Sequence, residues 1–250
     1  MSLTQSIRRN AQQNGNGIAT IDGDRQKTWN QFVDRVSRMA GAIRKLGAKQ
    51  GDRVALLGVN TDRYLELSFA VWWAGAAVVP MNIRWSAQEN AYSLRDSGAE
   101  ILFVDDAFAA MVPEILADAE GTPVKTRVHF GDGARPDGML GYEDLIREND
   151  PVIDAGAASS DLAGIFYTGG TTGFPKGVMQ SHQAIWSSSI ALTCMLGLNR
   201  STRYMHAAPM FHMADFCGSI GSTLGGASHL FIAAFDPKKV IEIANTHGAT

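Results

Sequence analysis

Short apolar runs separated by capped amphipathic stretches recur along this chain, and that alternation restricts it to sheets covered by helices. Thr28 followed by Gln31 forms a capping-box pattern. Phe32, Val33, Val36, Met39, Ala40, Ile43 and Leu46 then recur at helical spacing until Gly47 closes the run. The run 53–58 is apolar and ended by glycine, as a buried strand would be. A helix is expected over 62–74, a strand over 77–81, a second capping box at Ser86 and Glu89 opening a helix that ends near Gly98, and a strand over 101–104. A helix from 105 to about 119 and a strand near 127–130 follow. Beyond them come a strand over 162–167, a helix over about 181–196, a strand over 204–207, a helical stretch over 215–224, a strand over 227–232 and a helix begun by Asp236 and Pro237. The predicted fold is α/β, with alternating strands and helices forming largely parallel sheets packed by helices on both faces. The glycine-, proline- and aspartate-rich stretch 131–141 and the polar stretch 149–161 are the boundary signals. They divide the chain into an N-terminal α/β lobe, 1–150, and an α/β segment, 151–250.

The run Tyr167-Thr168-Gly169-Gly170-Thr171-Thr172-Gly173-Phe174-Pro175-Lys176-Gly177-Val178 follows directly on an apolar strand. Glycines let backbone N–H groups turn toward an anion, threonine hydroxyls add donors, and a lysine supplies a mobile point charge. The run therefore reads as a loop that wraps a polyphosphate, with a nucleoside triphosphate as the expected ligand. It is not a Walker loop: Phe174 and Pro175 separate Gly173 from Lys176, and Gly177 stands where that motif carries its magnesium-binding hydroxyl. It lacks the glycine spacing of a dinucleotide fingerprint as well.

Charge and cysteine content narrow the partners. A net charge of −3 without a basic cluster gives no electrostatic footprint for nucleic acid or an anionic membrane. The opening residues carry no apolar stretch of signal-peptide length, and the most apolar window, 69–79, falls short of the roughly twenty residues a bilayer span needs. Cys194 and Cys217 form neither a disulfide framework nor a CxxC pair, so a reducing cytoplasm is expected. His206, His212, Asp215 and Cys217 match no common zinc spacing, and no metal centre is expected from them.

The glycine-rich run, with His182 a few residues on, resembles the signature loop of the acyl-CoA synthetase, or adenylate-forming (AMP-binding), superfamily. Two more stretches carry the resemblance in the same order. Val79-Pro80-Met81-Asn82 through Asp96-Ser97-Gly98-Ala99-Glu100-Ile101-Leu102-Phe103-Val104 is similar to the stretch after the family's second strand, and Ala208-Pro209-Met210-Phe211-His212 is similar to its P-L-F-H motif. Gly169 departs from the pattern, where serine is usual, which removes one hydroxyl and adds backbone freedom. The resemblance implies the N-terminal half of the large domain of a fatty-acyl-CoA ligase-like enzyme. Such enzymes are about twice as long, so the chain is expected to be a fragment inactive alone.

What the resemblance implies chemically is the activation of a carboxylic acid by ATP and Mg²⁺ to an acyl-adenylate, followed by thioester formation with coenzyme A. Thr168, Gly169, Gly170, Thr171, Thr172, Gly173 and Lys176 would hold the β- and γ-phosphates, Thr168 would also touch magnesium, and Lys176 would balance the departing pyrophosphate. His212 would stand beside the acyl and α-phosphate groups, with Phe211, Met213 and Trp186 as apolar acid-contacting residues and Met210 and Phe216 as core or pocket wall. His182 is expected to cap or orient the helix that follows it. The alternatives are an adenylating domain that loads a carrier protein and a nucleotide-binding fragment without turnover. A homodimer is compatible with the resemblance.

Overall fold

The computed structural model describes residues 1–169 and 175–250. The first helix, α1 (Thr4–Asn14), precedes an antiparallel hairpin of β1 (Ile18–Asp22) and β2 (Arg25–Thr28). Next come α2 (Trp29–Lys45), β3 (Arg53–Leu57), α3 (Asp62–Ala74), β4 (Ala77–Pro80), α4 (Ala87–Ser97) and β5 (Ile101–Val104). A short 3-10 turn (Ala109–Met111) leads into α5 (Val112–Leu116), followed by β6 (Thr126–His129), β7 (Leu140–Gly141) and α6 (Tyr142–Glu148). The rest comprises β8 (Leu162–Thr168), β9 (Lys176–Ser181), α7 (His182–Leu196), β10 (Arg203–His206), α8 (Met213–Gly225), β11 (Ser228–Phe231) and α9 (Pro237–His247).

Local chemistry fixes the helix ends. Both expected capping boxes form: Thr28 with Gln31 opens α2, and Ser86 with Glu89 opens α4, so each pair satisfies two backbone donors that lack helical partners. Gly75 and Gly98 stop α3 and α4 at φ 90° and 66°, a left-handed turn that a Cβ would strain. The helix expected from 105 to 119 is broken instead into a 3-10 turn and α5. Pro113 is the cause, since it has no N–H to give a helix begun earlier and is tolerated only in the first turn of a new one.

Among the described residues the strands form two sheets, ordered β7-β6-β5-β3-β4-β8-β9 and β10-β11-β1-β2. Pairing is parallel except for β1 with β2 and β8 with β9. Segments on both sides of residue 150 enter both sheets: β4 pairs with β8, and β1 pairs with β11. The polar stretch between them is pinned to α2 and α3, where Trp73 Nε1 donates to Val152 O at 2.8 Å and Val152 N–H donates to Ser37 O at 3.3 Å.

The central strands β3, β4 and β5 of the larger sheet are buried on both faces, as their continuous apolar runs require. Val54, Leu56, Val78, Ile101 and Phe103 face one core with α2 and α3. Their neighbours Ala55, Leu57, Val79, Leu102 and Val104 face a second core with Ala87, Ala91 and Leu94 of α4 and Val112 and Ile115 of α5. A file of edge-to-face rings crosses the first core from Phe32 to Phe69, Trp72, Phe216 and Phe166, with centroids 5.9, 5.3, 5.7 and 4.9 Å apart. It joins α2, α3, α8 and β8, so the two sheets share one core.

Candidate active site

β8 carries the start of the glycine-rich run to the edge of the sheet, and β9 brings its end back antiparallel, with Thr168 opposite Lys176. Thr168 Oγ1 donates to Lys176 O at 3.5 Å, and Thr168, Gly169 and Lys176 are all exposed. The expected phosphate contacts of Gly170, Thr171, Thr172 and Gly173 lie outside the described residues. The base of the run is anchored by Tyr167, whose hydroxyl donates to Asp96 Oδ2 at 2.6 Å and lies 3.2 Å from Ser93 O, both on α4. Burial and the neighbouring Asp96 carboxylate raise the phenol far above its ordinary range, so it stays a donor.

His212 is the N-cap of α8 and is exposed. Its Nδ1 accepts from the Ala214 N–H at 3.3 Å, which places the proton of the neutral ring on Nε2, on the other side. Nε2 is then a donor at the positive end of a helix of 13 residues, a combination suited to an anionic oxygen. The ring meets Phe211 edge-on at 6.4 Å. Phe211 is half-buried; Met213 and Trp186 are partly buried against the core. Met210 and Phe216 are each 2% exposed and belong to the core.

The Phe166–Phe216 contact brings the two expected regions together. Phe166 lies two residues before Thr168, and Phe216 lies one helical turn after His212, so the carboxyl end of β8 stands beside the first turn of α8. Both regions leave the carboxyl ends of parallel strands, where open α/β sheets gather their binding groups.

His182 is elsewhere. It is buried at the start of α7, accepts from the Leu3 N–H at 3.3 Å, and meets Trp72 at 6.1 Å. Ser181, not His182, caps that helix. Burial pushes the imidazole down to about 4, so it is neutral at physiological pH and ties α1 to the core.

Two groups near His212 were not read from the sequence as holding the site: Asn60, which carried no signal, and a buried chain through His206 and Asp215, which the sequence offered only as an unfitting metal set. Asn60, just beyond β3, donates to His206 O at 3.0 Å and to Ala208 O at 2.7 Å, and accepts from the Met210 N–H at 2.8 Å. Beneath the loop runs a buried polar chain. His206 Nδ1 is 2.7 Å from Asp215 Oδ2, His206 Nε2 is 2.9 Å from His229 Nδ1, and His229 Nε2 is 3.1 Å from Thr223 Oγ1. Burial, with His206 beside it, holds the His229 imidazole well below its ordinary value.

Among the described residues, cavities lie away from this edge. One of about 530 Å³ opens at the amino ends of β3 and β5, lined by Lys49, Arg53, Glu100 and Lys125 among others. Another, of about 150 Å³, sits at the carboxyl ends of β3, β5 and β6, where its Arg25 and Arg63 are paired with Asp132. No helix among the described residues is long and apolar enough to cross a membrane.

The parallel sheets covered by helices, with an exposed helix-capping histidine in the loop after β10, define an α/β protein whose candidate groups gather at one edge. Comparison with known proteins makes this specific: the chain belongs to the AMP-binding enzyme family, whose model matches residues 7–250. It is 35% identical over 229 residues to a long-chain-fatty-acid–CoA ligase of Thermus thermophilus, covering 89% of this chain and 41% of that one. It is 30% identical over 243 residues to a feruloyl-CoA synthase of an Amycolatopsis species, covering 97% and 46%. Among solved structures, the inhibitor-bound N-terminal domain of FACL13 from Mycobacterium tuberculosis superposes with a TM-score of 0.88 at 26% identity, over 99% of this chain and 61% of that one. The chain thus spans less than half the length of these two ligases.

Proposed function

We propose that the protein takes part in the AMP-forming ligation of a carboxylic acid to a thiol. A carboxylate is a poor electrophile, so a leaving group must be installed first. One carboxylate oxygen attacks the α-phosphorus of ATP, the bond to the bridging oxygen breaks, and pyrophosphate departs with that electron pair. The thiol sulfur of coenzyme A then attacks the acyl carbon, AMP leaves, and the thiol proton is lost to solvent.

The observation that carries this reading is the exposed, N-capping His212 beside the carboxyl end of β8. In this scheme His212 Nε2–H donates to the oxygen on which charge develops, and the α8 dipole adds to it. Thr168 and Gly169 contribute to holding the β- and γ-phosphates, with Gly170, Thr171, Thr172 and Gly173 completing the loop, and Lys176 offsets the charge of the departing pyrophosphate. The exposed Thr168 hydroxyl is an oxygen donor of the type that hard Mg²⁺ accepts. Phe211 and Met213 adjoin His212, and Trp186 packs against the same core; as acid-contacting residues they would favour a fatty or other apolar acid over a charged one. Segment 151–250 would then supply the phosphate and acid contacts, with 1–150 as the supporting lobe.

The test is carboxylate-dependent exchange of labelled pyrophosphate into ATP by the full-length protein, screened over fatty, aryl and amino acids. Exchange with an apolar acid, followed by thioester formation with coenzyme A, is expected. Lys176→Ala should lower exchange by about 10²- to 10³-fold. Lys176 is exposed and makes no ion pair among the described residues, so the melting temperature should move by no more than about 2 °C. Absence of exchange with every acid from protein that still binds Mg·ATP would refute the reaction. Thioester formed only on a phosphopantetheinyl carrier would refute the choice of acceptor.

A further inference from the structure

The loop that presents His212 is tied at points that make no contact with a reacting group in the proposed scheme. It runs from the end of β10 at His206 to the start of α8 at Met213. One side chain from the loop after β3 of the larger sheet, Asn60, 6% exposed, binds three of its backbone groups: the carbonyls of His206 and Ala208 and the N–H of Met210. The two ends of the loop are joined from below, because His206 on β10 meets Asp215 in the first turn of α8 at 2.7 Å. Both of these side chains are buried, at 0% and 2% exposure. Tyr204 donates to the second Asp215 oxygen at 3.3 Å, and His229 occupies the far nitrogen of His206, so neither His206 nor Asp215 is free to turn away. A further turn, from the His212 N–H to Pro209 O at 3.0 Å, closes the segment between the clamps.

Burying so many polar groups in one short segment is costly unless each is bonded, and here each bond also removes a freedom of the loop. We propose that Asn60 and the Asp215–His206 pair are positioning residues that set the place of His212 relative to the carboxyl end of β8. Asn60 references the loop to the seven-stranded sheet that carries β8, and Asp215–His206 references it to α8. This inference rests on the role given to His212 above.

A double-mutant cycle in the full-length protein tests it, with pyrophosphate exchange and thermal unfolding measured for each variant. Asn60→Ala and Asp215→Asn are each combined with His212→Ala. Displacement of a reacting group by about 1 Å costs up to about 100-fold in rate. Each single variant should therefore lower kcat by about 10- to 100-fold while the KM for ATP stays within about twofold. In the His212→Ala background the same substitution should cost less than about threefold, because a misplaced residue that is already absent cannot be lost again. Should Asn60→Ala fail to fold, Asp215→Asn, which keeps the shape and an acceptor for His206, carries the cycle alone. Full additivity, or a lowered melting temperature with unchanged kcat, overturns the positioning role and leaves His212 intact. Unchanged kcat in His212→Ala alone overturns the role of His212 and this inference with it.

Discussion

Lys27→Met should destabilise this protein far more than the loss of a surface charge would. Lys27 Nζ lies 2.5 Å from Asp62 Oδ2 and 3.4 Å from Glu66 Oε2, and both carboxylates are fully buried in α3. Unit charges about 3 Å apart attract by roughly 5 kcal/mol at an effective dielectric near 20, and desolvation offsets several kcal/mol of this for each ion. Removing one partner leaves the desolvation in place, and for buried pairs the loss is about 3–5 kcal/mol. Here the remaining partners put the loss at the lower end: Arg25 still reaches Asp62 at 3.3 Å, while Arg35 at 2.8 Å and Tyr142 at 2.6 Å still bind Glu66. About 3 kcal/mol corresponds to a fall of about 6–12 °C in melting temperature for a chain of this size. The pH dependence follows from Asp62. Burial pushes its carboxyl up, but Lys27 and Arg25 outweigh burial and hold it below the usual carboxylate range. That stabilisation is complete above the unfolded value of about 3.9 and is lost as pH falls through the lower folded value. In Lys27→Met, burial acts with less opposition, so Asp62 takes up its proton at a higher pH, and the gap between variant and parent narrows on acidification. Urea unfolding followed by tryptophan fluorescence at pH 7 and at about pH 3.5, below the unfolded carboxylate value, measures both effects. A gap under about 1 kcal/mol at pH 7, or one that does not change with pH, would refute the reasoning.

Two further substitutions probe the core and the interface of α1. A Cβ added at Gly164 would stand 2.9 Å from Val78 O, from Val78 Cγ2 and from Phe166 Cε2, so Gly164→Ala should cost about 1–3 kcal/mol by overpacking the β4–β8 contact; an unchanged urea midpoint would contradict this. His182, neutral with its value near 4, contributes stability that is complete above about pH 6.5 and is lost as pH falls toward 4, in all roughly 3 kcal/mol. His182→Gln keeps an acceptor for the Leu3 N–H and should flatten the acid limb of stability over that window, whereas an equally steep limb would assign the loss to other groups.

The alternating architecture was legible in the sequence because its signals are local. A capping box or a left-handed glycine acts within one turn, and the buried parallel strands need continuous apolar runs, so both cores followed from period and punctuation. The elements that escaped are polar or short. β1 and β2 are partly built from charged residues: Arg25 and Lys27, which are stable there because Asp62 and Glu66 arrive from α3 to pair with them, and Asp22, which pairs with Arg25. α1 buries Thr4, Ser6 and Asn10 beside Ile7, a face that reads as polar until Thr223 O and Asp154 are in place to bond it. β9 is an exposed edge strand whose pairing comes from β8 across the glycine-rich run.

The candidate site divides along the same line. Thr168, Lys176 and His212 could be singled out because their chemistry is written in the residues themselves. What holds them is not, since Tyr167 needs Asp96, and Asn60 needs a segment 150 positions away. The cause is physical: a group that donates charge must be exposed and of a particular type, whereas a group that only holds geometry can be any side chain with the right donors, and its meaning appears when its partners do. Asn60 belongs to the second kind, and it spans the two sheets. A fold assembled from two sheets needs at least one such polar tie if residues carried by different sheets are to meet within hydrogen-bond tolerance, because apolar packing alone aligns surfaces without fixing a single donor. On the positioning proposal, the site's precision rests on the junction between the sheets, and changes at that junction should lower rate as well as stability.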